Sequence, residues 1–272
     1  MDFINFVPEI AVADLYGRQS AILNILRREG LPFSLQRSLE NEHWVENIVV
    51  SFLPCERRLV LGAHYDAVPG STGANDNASG VTILLNLARA FLRQGIRNVE
   101  IVFFDREEDA DHGSSAYIQS TGRENIDTMV NLDMCGYGNR IFSVAKGNRE
   151  NRRLGTLFSG KMLEKYAVGV IERLPFRFGD DDTFDSFGIP NIAVTAMPEE
   201  ELLFTAAFLE KLQKGESASP EELQRYRGLG YSQTMHNAPL DRVDAVSPEM
   251  IRRVASWLFE GLLSSEHGGW PY

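Results

Sequence analysis

Five side chains of metal-ligating type stand far apart in this chain, each where a structured segment meets a loop: His64, Asp76, Glu108, Asp133 and His236. Imidazole nitrogen and carboxylate oxygen are the usual ligands of a borderline cation such as zinc. Asp66, two residues beyond His64, can accept the spare ring N–H that a ligating histidine has to place. Glu107 sits beside Glu108, so a turning backbone can send one carboxylate to a metal and the other to a water molecule. Each residue also has a plain reading. Asp76 can cap a helix, His64 can be a satisfied core histidine, and a Glu-Glu pair is most often a solvated turn. On the stretch from His64 to Gly80 alone, the metal and plain readings stand about equal. Five such residues at the ends of successive elements are harder to attribute to chance.

The elements that must position them follow from apolar periodicity. Leu59–Ala63 is a short apolar run ending at His64 and reads as a buried strand. The Gly-, Pro-, Ser- and Asn-rich segment after it is a loop. A buried helix from about Asn77 to Gln94 follows and is stopped by Gly95. Val99–Phe104 is a second core strand, running into Asp105-Arg106-Glu107-Glu108, and Met129–Leu132 is a third, ending on Asp133. If these strands are parallel neighbours, their C-terminal ends converge on one crevice, where open α/β sheets build their ligand sites. The remaining expectations are a helix over about Glu9 to Gly30, strands over Trp44 to Phe52, Arg140 to Ala145 and Asn191 to Thr195, and helices over Ser114 to Ser120, Glu150 to Tyr166 and Pro248 to Leu263, with Pro54-Cys55-Glu56 as a turn. The segment of about 198–231 reads as a charged helical insertion, whose Leu202, Phe204, Phe208 and Leu212 form a lid, packed core or a subunit interface. With no internal repeat or linker, residues 1–272 read as one domain.

Composition narrows the function. The formal net charge of −11 argues against a nucleic-acid surface. No apolar run reaches membrane-spanning length, and the first residues carry no basic, signal-like segment. The expectation is therefore a cytoplasmic chain with neither nucleic-acid nor membrane partners, its tail from Glu266 to Tyr272 frayed or serving an oligomer contact. Cys55 and Cys135, the two cysteines, lie outside any C-x-x-C pattern and read as reduced thiols. Asn77-Ala78-Ser79 fits a glycosylation sequon but lies inside the candidate metal loop, and Gly136-Tyr137-Gly138 lacks the third glycine of a dinucleotide fingerprint.

Taken together, His64-Tyr65-Asp66, Gly73-Ala74-Asn75-Asp76-Asn77-Ala78-Ser79-Gly80, Phe103-Phe104-Asp105-Arg106-Glu107-Glu108, Asn131-Leu132-Asp133-Met134, Gly188-Ile189-Pro190 and Met235-His236 resemble, in order, the zinc aminopeptidases with a co-catalytic two-metal site. Glutamate carboxypeptidase II and the glutaminyl cyclases belong to the same broad group. The resemblance implies a three-layer α/β/α fold around a central mixed, mostly parallel sheet. It implies two zinc ions bridged by Asp76, one also held by His64 and Asp133, the other by Glu108 and His236. Glu107 is then the general base acting on a water that bridges the metals, Asp66 supports His64, and the peptide bond between Asp76 and Asn77 is cis. The implied substrate is a peptide or small amide, cleaved at its N-terminal residue.

The chain also departs from that pattern. Asp109-Ala110-Asp111-His112 follows the paired glutamates, where small or apolar residues are usual, and Gly179-Asp180-Asp181-Asp182 replaces the frequent Ser-Asp-His. Asp180 is a candidate for a substrate amine, Phe184 for the specificity pocket, and Tyr231 for polarising the substrate carbonyl; the plain readings are a helix cap for the aspartates and an ordinary packed tyrosine for Tyr231. His112 is an extra substrate contact, a regulatory site or a solvated loop residue. A single-zinc glutaminyl cyclase is the main rival, although Met235 stands where those enzymes tend to have tryptophan. An amidohydrolase acting on a non-peptide amide would use the same metal chemistry.

Overall fold

In the computed structural model, residues 1, 13, 41, 53–56, 97, 110–111, 173–178 and 268–272 fall outside the described part of the chain. The readings of Cys55, of the turn around it, of Asp111 and of the last five tail residues lie there. The elements run α1 (Val7–Ile10), α2 (Leu15–Arg28), β1 (Ser34–Glu40), β2 (His43–Ser51), β3 (Arg58–His64), α3 (Ser79–Gln94), β4 (Val99–Phe104), α4 (His112–Thr121), β5 (Ile126–Leu132), β6 (Arg140–Val144), α5 (Gly160–Tyr166), β7 (Val168–Ile171), α6 (Asp180–Ser186), β8 (Asn191–Met197), α7 (Glu199–Gln213), α8 (Pro220–Arg227) and α9 (Pro248–His267).

All eight strands join one sheet, in the order β1-β2-β4-β3-β5-β8-β6-β7. Strand β3 lies parallel between β4 and β5, and β8 continues parallel beyond β5. Antiparallel pairs set β2 against β4 on one flank and β6 against β8 on the other. Alternation along the strands feeds two layers. Leu59, Leu61, Ala63, Val99, Ile101 and Phe103 face the larger core with α1, α2, α3 and α9. Val60, Val102 and Phe104 face the opposite side, against Tyr117 and Ile118 of α4 and Phe184 of α6. Period-two alternation with helices on both faces gives the expected three-layer α/β/α architecture.

The differences from the sequence expectations have local causes. Strand β1 was not anticipated: it is an edge strand with no fully buried residue, and it has the mixed composition such a position allows. Strand β7 is only four residues long and contains Gly169. The single helix expected over Glu150 to Tyr166 is instead a 3₁₀ turn, Gly155–Phe158, followed by the short α5, because Gly155 and Gly160 interrupt it. The first helix is divided, with α2 starting afresh at Asp14, whose side chain caps the N–H of Gly17 at 2.8 Å.

Register brings the functional ends together. His64 pairs with Phe104 across β3 and β4, and Gly62 pairs with Asn131 across β3 and β5. The residues that follow each strand therefore leave the sheet at one level.

Candidate active site

His64 is 2% exposed and closes β3. Its Nε2 lies 3.3 Å from Asp76 Oδ1, 3.5 Å from Asp133 Oδ1 and 3.9 Å from Glu107 Oε2. On the other side of the ring, Nδ1 lies 3.3 Å from Asp66 Oδ1. His236 Nε2 lies 3.4 Å from Glu108 Oε2. The donors thus sort into two pairs, His64 with Asp133 and Glu108 with His236. Asp76 stands between them: Oδ1 faces His64, and Oδ2 accepts the backbone N–H of His236 at 3.1 Å. Ligand atoms of His64, Asp76 and Glu108 all lie within 4.8 Å of one another.

The backbone makes this convergence possible. Asp76 sits in an irregular turn, Ala74–Ala78, and its peptide bond to Asn77 is cis. Arg106, Met134 and His236 adopt left-handed φ values of 55°, 52° and 52° without being glycines. Each is a ligand candidate or a near neighbour of one, where such conformations tend to gather. Asp66 receives the N–H groups of both Glu107 and Glu108, each at 3.1 Å, and so fixes the turn that splits their side chains. Gly179, at φ +86°, lies against Glu107: a Cβ there would stand 2.0 Å from Glu107 Oε1.

The site's electrostatics are those of acids crowded together. Burial, then the charges of Asp133, Asp180 and Asp66, holds the Glu107 carboxyl well above its ordinary range against the pull of His64. Glu108 is pushed up to about 8 by burial and by Asp76, Asp66 and Asp133, again against His64. Asp133 is raised by burial. Asp76 differs: burial works against its charge, but His64 and the His236 N–H hold it below the usual carboxylate range. Among the described residues, no lysine or arginine forms an ion pair with Glu107, Glu108, Asp133 or Asp76. His64 Nδ1 and Nε2, Glu108 Oε1 and Asp133 Oδ1 are buried without a well-aligned hydrogen bond. Buried polar atoms of this kind are costly unless something else engages them. Two imidazoles and three carboxylates converging on such atoms are the donor chemistry of a divalent zinc-type centre, so the residues fit that group.

The other candidates fall in different places. Asp180 is fully buried and close enough to Glu107 to raise its carboxyl. Asp181 is held by Lys146 and by Asn131 Nδ2 (3.2 Å), and Lys146 also reaches Asp185 at 2.6 Å. The N-cap of α6 is Gly179, and the three aspartates form the helix's acidic first turn. Phe184 is 0% exposed and packs on Phe104 and Tyr117; it is a core aromatic, and its reading as a pocket residue is corrected accordingly. Tyr231 is 5% exposed beside Met134, Phe142, Met197 and Leu202, and burial together with Asp133 keeps its hydroxyl protonated. His112 opens α4 and stacks on His43 at 5.7 Å. In the 198–231 segment, Phe204, Phe208 and Tyr226 stack between α7 and α8, and Leu202 joins the cluster around Tyr231.

Asp241 went unnoticed in the sequence. Its Oδ1 accepts the N–H groups of Asn75 (2.8 Å) and Asp76 (3.3 Å), and its Oδ2 accepts the Ser71 hydroxyl (2.6 Å). It therefore ties the loop of Asp76 to the loop of His236. A polar loop aspartate carries no local signal of such a role.

Residues 47–260 match the family model of Peptidase family M28. The chain belongs to peptidase family M28. Over 111 residues it is 34% identical to a vacuolar membrane protease of Schizosaccharomyces japonicus, an overlap of 39% of this chain and 13% of that protein. Over 78 residues it is 37% identical to the aminopeptidase YwaD of Bacillus subtilis, an overlap of 27% and 17%. The chain thus spans only a small part of the length of these relatives. A Zn-dependent exopeptidase from Parabacteroides distasonis shares the fold with a TM-score of 0.66 at 16% identity, covering 96% of this chain and 98% of that one. A glutaminyl cyclase from an Acidobacteriales bacterium does so with a TM-score of 0.66 at 14% identity, covering 97% and 92%.

The relatives overturn the cytoplasmic expectation. Those from S. japonicus, Arthroderma gypseum and Vanderwaltozyma polyspora are all named vacuolar membrane proteases. The expectation rested on the composition of a few leading residues, and a peptidase fold of this kind does not encode its compartment. Among the described residues of this M28 chain, no helix is long and apolar enough to cross a membrane.

Proposed function

We propose that this chain is a metallo-aminopeptidase that removes N-terminal residues from peptides, with His64 and Asp133 holding one zinc ion, Glu108 and His236 a second, and Asp76 shared by both. The observation that carries this reading is the sorting of the donors into two pairs with Asp76 between them. Zinc bound there would supply Lewis acidity to the substrate carbonyl and a water acidic enough to react near neutral pH. Residues 1–272 then serve as one catalytic domain, with the 198–231 segment flanking the cleft.

The chain's own groups do the rest. Asp66 Oδ1, 3.3 Å from His64 Nδ1, is placed to take the Nδ1 proton once the ring ligates through Nε2, which would fix the tautomer. Among the described residues Glu107 has no cationic partner other than nearby His64, and its raised pKa suits a group that must take a proton from the attacking water and return it to the departing amine. Gly179 leaves room for that carboxylate. Asp180, buried beside Glu107, offers a negative charge to the substrate ammonium. The protonated Tyr231 hydroxyl, near Asp133, offers a hydrogen bond to the substrate carbonyl oxygen.

The test is zinc content of the purified chain together with turnover of a panel of aminoacyl-anilides. Two zinc equivalents are expected, with turnover of free-amine substrates that falls roughly 10²–10⁴-fold in Glu107→Gln while the zinc is retained. One equivalent with cyclisation of N-terminal glutamine would instead identify a glutaminyl cyclase. Metal without turnover of any peptide-like amide would overturn the substrate class.

A further inference from the structure

Arg18 lies on α2, ahead of the 47–260 segment that matches the family, yet it reaches the loop carrying three of the site residues. It is 1% exposed. Its Nε donates to the carbonyl of Tyr65 at 2.5 Å, and Nη1 donates to the carbonyls of Thr72 at 2.7 Å and Gly73 at 3.2 Å. Tyr65 stands between His64 and Asp66, and Gly73 comes three residues before Asp76. One planar fork therefore joins the two ends of the loop that presents His64, Asp66 and Asp76.

Several features show a fitted contact. Gly73 has φ +55°, and a Cβ on it would lie 2.5 Å from Arg18 Nη1, so the loop is shaped to admit the guanidinium. Among the described residues Arg18 forms no ion pair, and Nη2 is buried without a hydrogen bond. A buried cation with no carboxylate in contact is costly to keep. The charges that favour it are Asp66, Asp76, Asp241 and Glu108, all in or around the site. A lysine could not replace the fork, because one ammonium cannot bond two separated carbonyl groups with the same fixed geometry.

We propose that Arg18 is a positioning residue: it staples residues 65 and 72–73 so that His64, Asp66 and Asp76 form a preorganised set before any metal arrives. The positioning role rests on the metal-centre reading above, whereas the staple itself does not. It also makes α2 part of the site.

Two measurements on the full-length chain test this. The first is amide hydrogen exchange of metal-free protein across residues 64–76. Arg18→Met should speed exchange there by roughly tenfold or more, with α3 and α9 unchanged. The second is zinc affinity by competition with a chromophoric chelator. Arg18→Met should weaken it by roughly 10–100-fold, as expected for a group that orients ligands, and Arg18→Lys should recover only part of the loss. Arg28→Met, an exposed substitution on the same helix, should change neither. If Arg18→Met does not fold, the charge-preserving Arg18→Lys decides both arms. Unchanged exchange in 64–76 would overturn the staple, and faster exchange with zinc affinity within about twofold of wild type would overturn the positioning role. Full recovery by lysine would mean that charge alone matters, which also overturns it. A wild-type chain that takes up no zinc would overturn the metal-centre reading, and the positioning role with it, while the exchange arm still decides the staple.

Discussion

Two groups of clustered acids in this molecule are balanced in different ways. Around Lys146, one ammonium serves Asp181, Asp182 at 3.6 Å and Asp185 at 2.6 Å. That group is complete within the chain. Around His64, among the described residues, the carboxylates of Asp76, Glu107, Glu108 and Asp133 make ion-pair contacts with histidines alone, Arg18 acts on Asp76 and Glu108 only from a distance, and several buried atoms make no aligned hydrogen bond. Composition alone would rate both as acidic clusters. What separates them is whether the chain supplies the cation, and the cluster that lacks one is the candidate for an external ion.

The contrast can be broken first at the shared ligand. Asp76→Asn should cut zinc affinity more than about 100-fold and lower the zinc count of both pairs, because a carboxylate common to them is lost; elemental analysis after dialysis measures it. A variant that still holds two equivalents would mean that Asp76 is not shared. Next, Lys146→Met should leave the zinc count unchanged but destabilise the fold by roughly 3 kcal/mol, since it strands Asp181 with no ammonium. Urea unfolding monitored at several protein concentrations would show it, and a loss of zinc in that variant would show that the two clusters are one.

Smaller effects sharpen the comparison through pH. Glu108, at about 8 in the metal-free chain, has to lose its proton to ligate. Zinc affinity should therefore fall below pH 8 by up to tenfold per unit for the Glu108 proton alone, and more steeply because His64, raised against burial by Glu107, Asp133, Asp66 and Asp76, also sheds one; a flat titration between pH 6.5 and 8.5 would contradict this. The stability of the metal-free chain carries the opposite sign. Glu108 is raised in the folded state from an ordinary 4.5, so the fold binds more protons than the unfolded chain between about 4.5 and 8. Its contribution is present below 4.5 and is lost as pH rises through 8. Asp181, raised from 3.8 to about 7, acts in the same direction over a lower window. Saturating zinc should remove the Glu108 share of the slope and leave the shares of Asp181 and of Asp105, which burial also raises to about 7; Asp181→Asn should lower the first of these alone. Denaturation curves from pH 4 to 8.5, with and without zinc, separate the two.

The sequence is most legible where a residue's neighbours in the chain decide its fate. Leu59–Ala63 and Val99–Phe104 are apolar enough to be read as strands, and each ends on the residues that enter the site. The resemblance carried by the motifs, from His64-Tyr65-Asp66 to Met235-His236, brought the rest of the donor set into view. Legibility ends where distant parts of the chain decide. Ser34–Glu40 becomes a strand only because β2 offers an edge, and Asp241 matters only because Asn75 and Asp76 come to it from far along the chain. Phe184 was misplaced for a similar reason: an aromatic near a candidate acid can face a pocket or the core, and here Phe104 and Tyr117 claim it. Arg18 looks like one more polar position on an amphipathic helix.

The placing of β8 has a consequence for how the molecule comes into being. That strand lies between β5 and β6 although it is made after β7, so the rim of β5 beside Asp133 has no neighbour until residues 191–197 have left the ribosome. At about 5–20 residues per second, a growing chain spends several seconds with His64, Asp76, Glu108 and Asp133 already translated next to an unfilled rim. His236 comes later still, after β8 has filled the gap. The five ligand candidates are therefore completed last by the one made after every strand of the sheet, and a chain cut short before it would have the fold's centre without its second histidine.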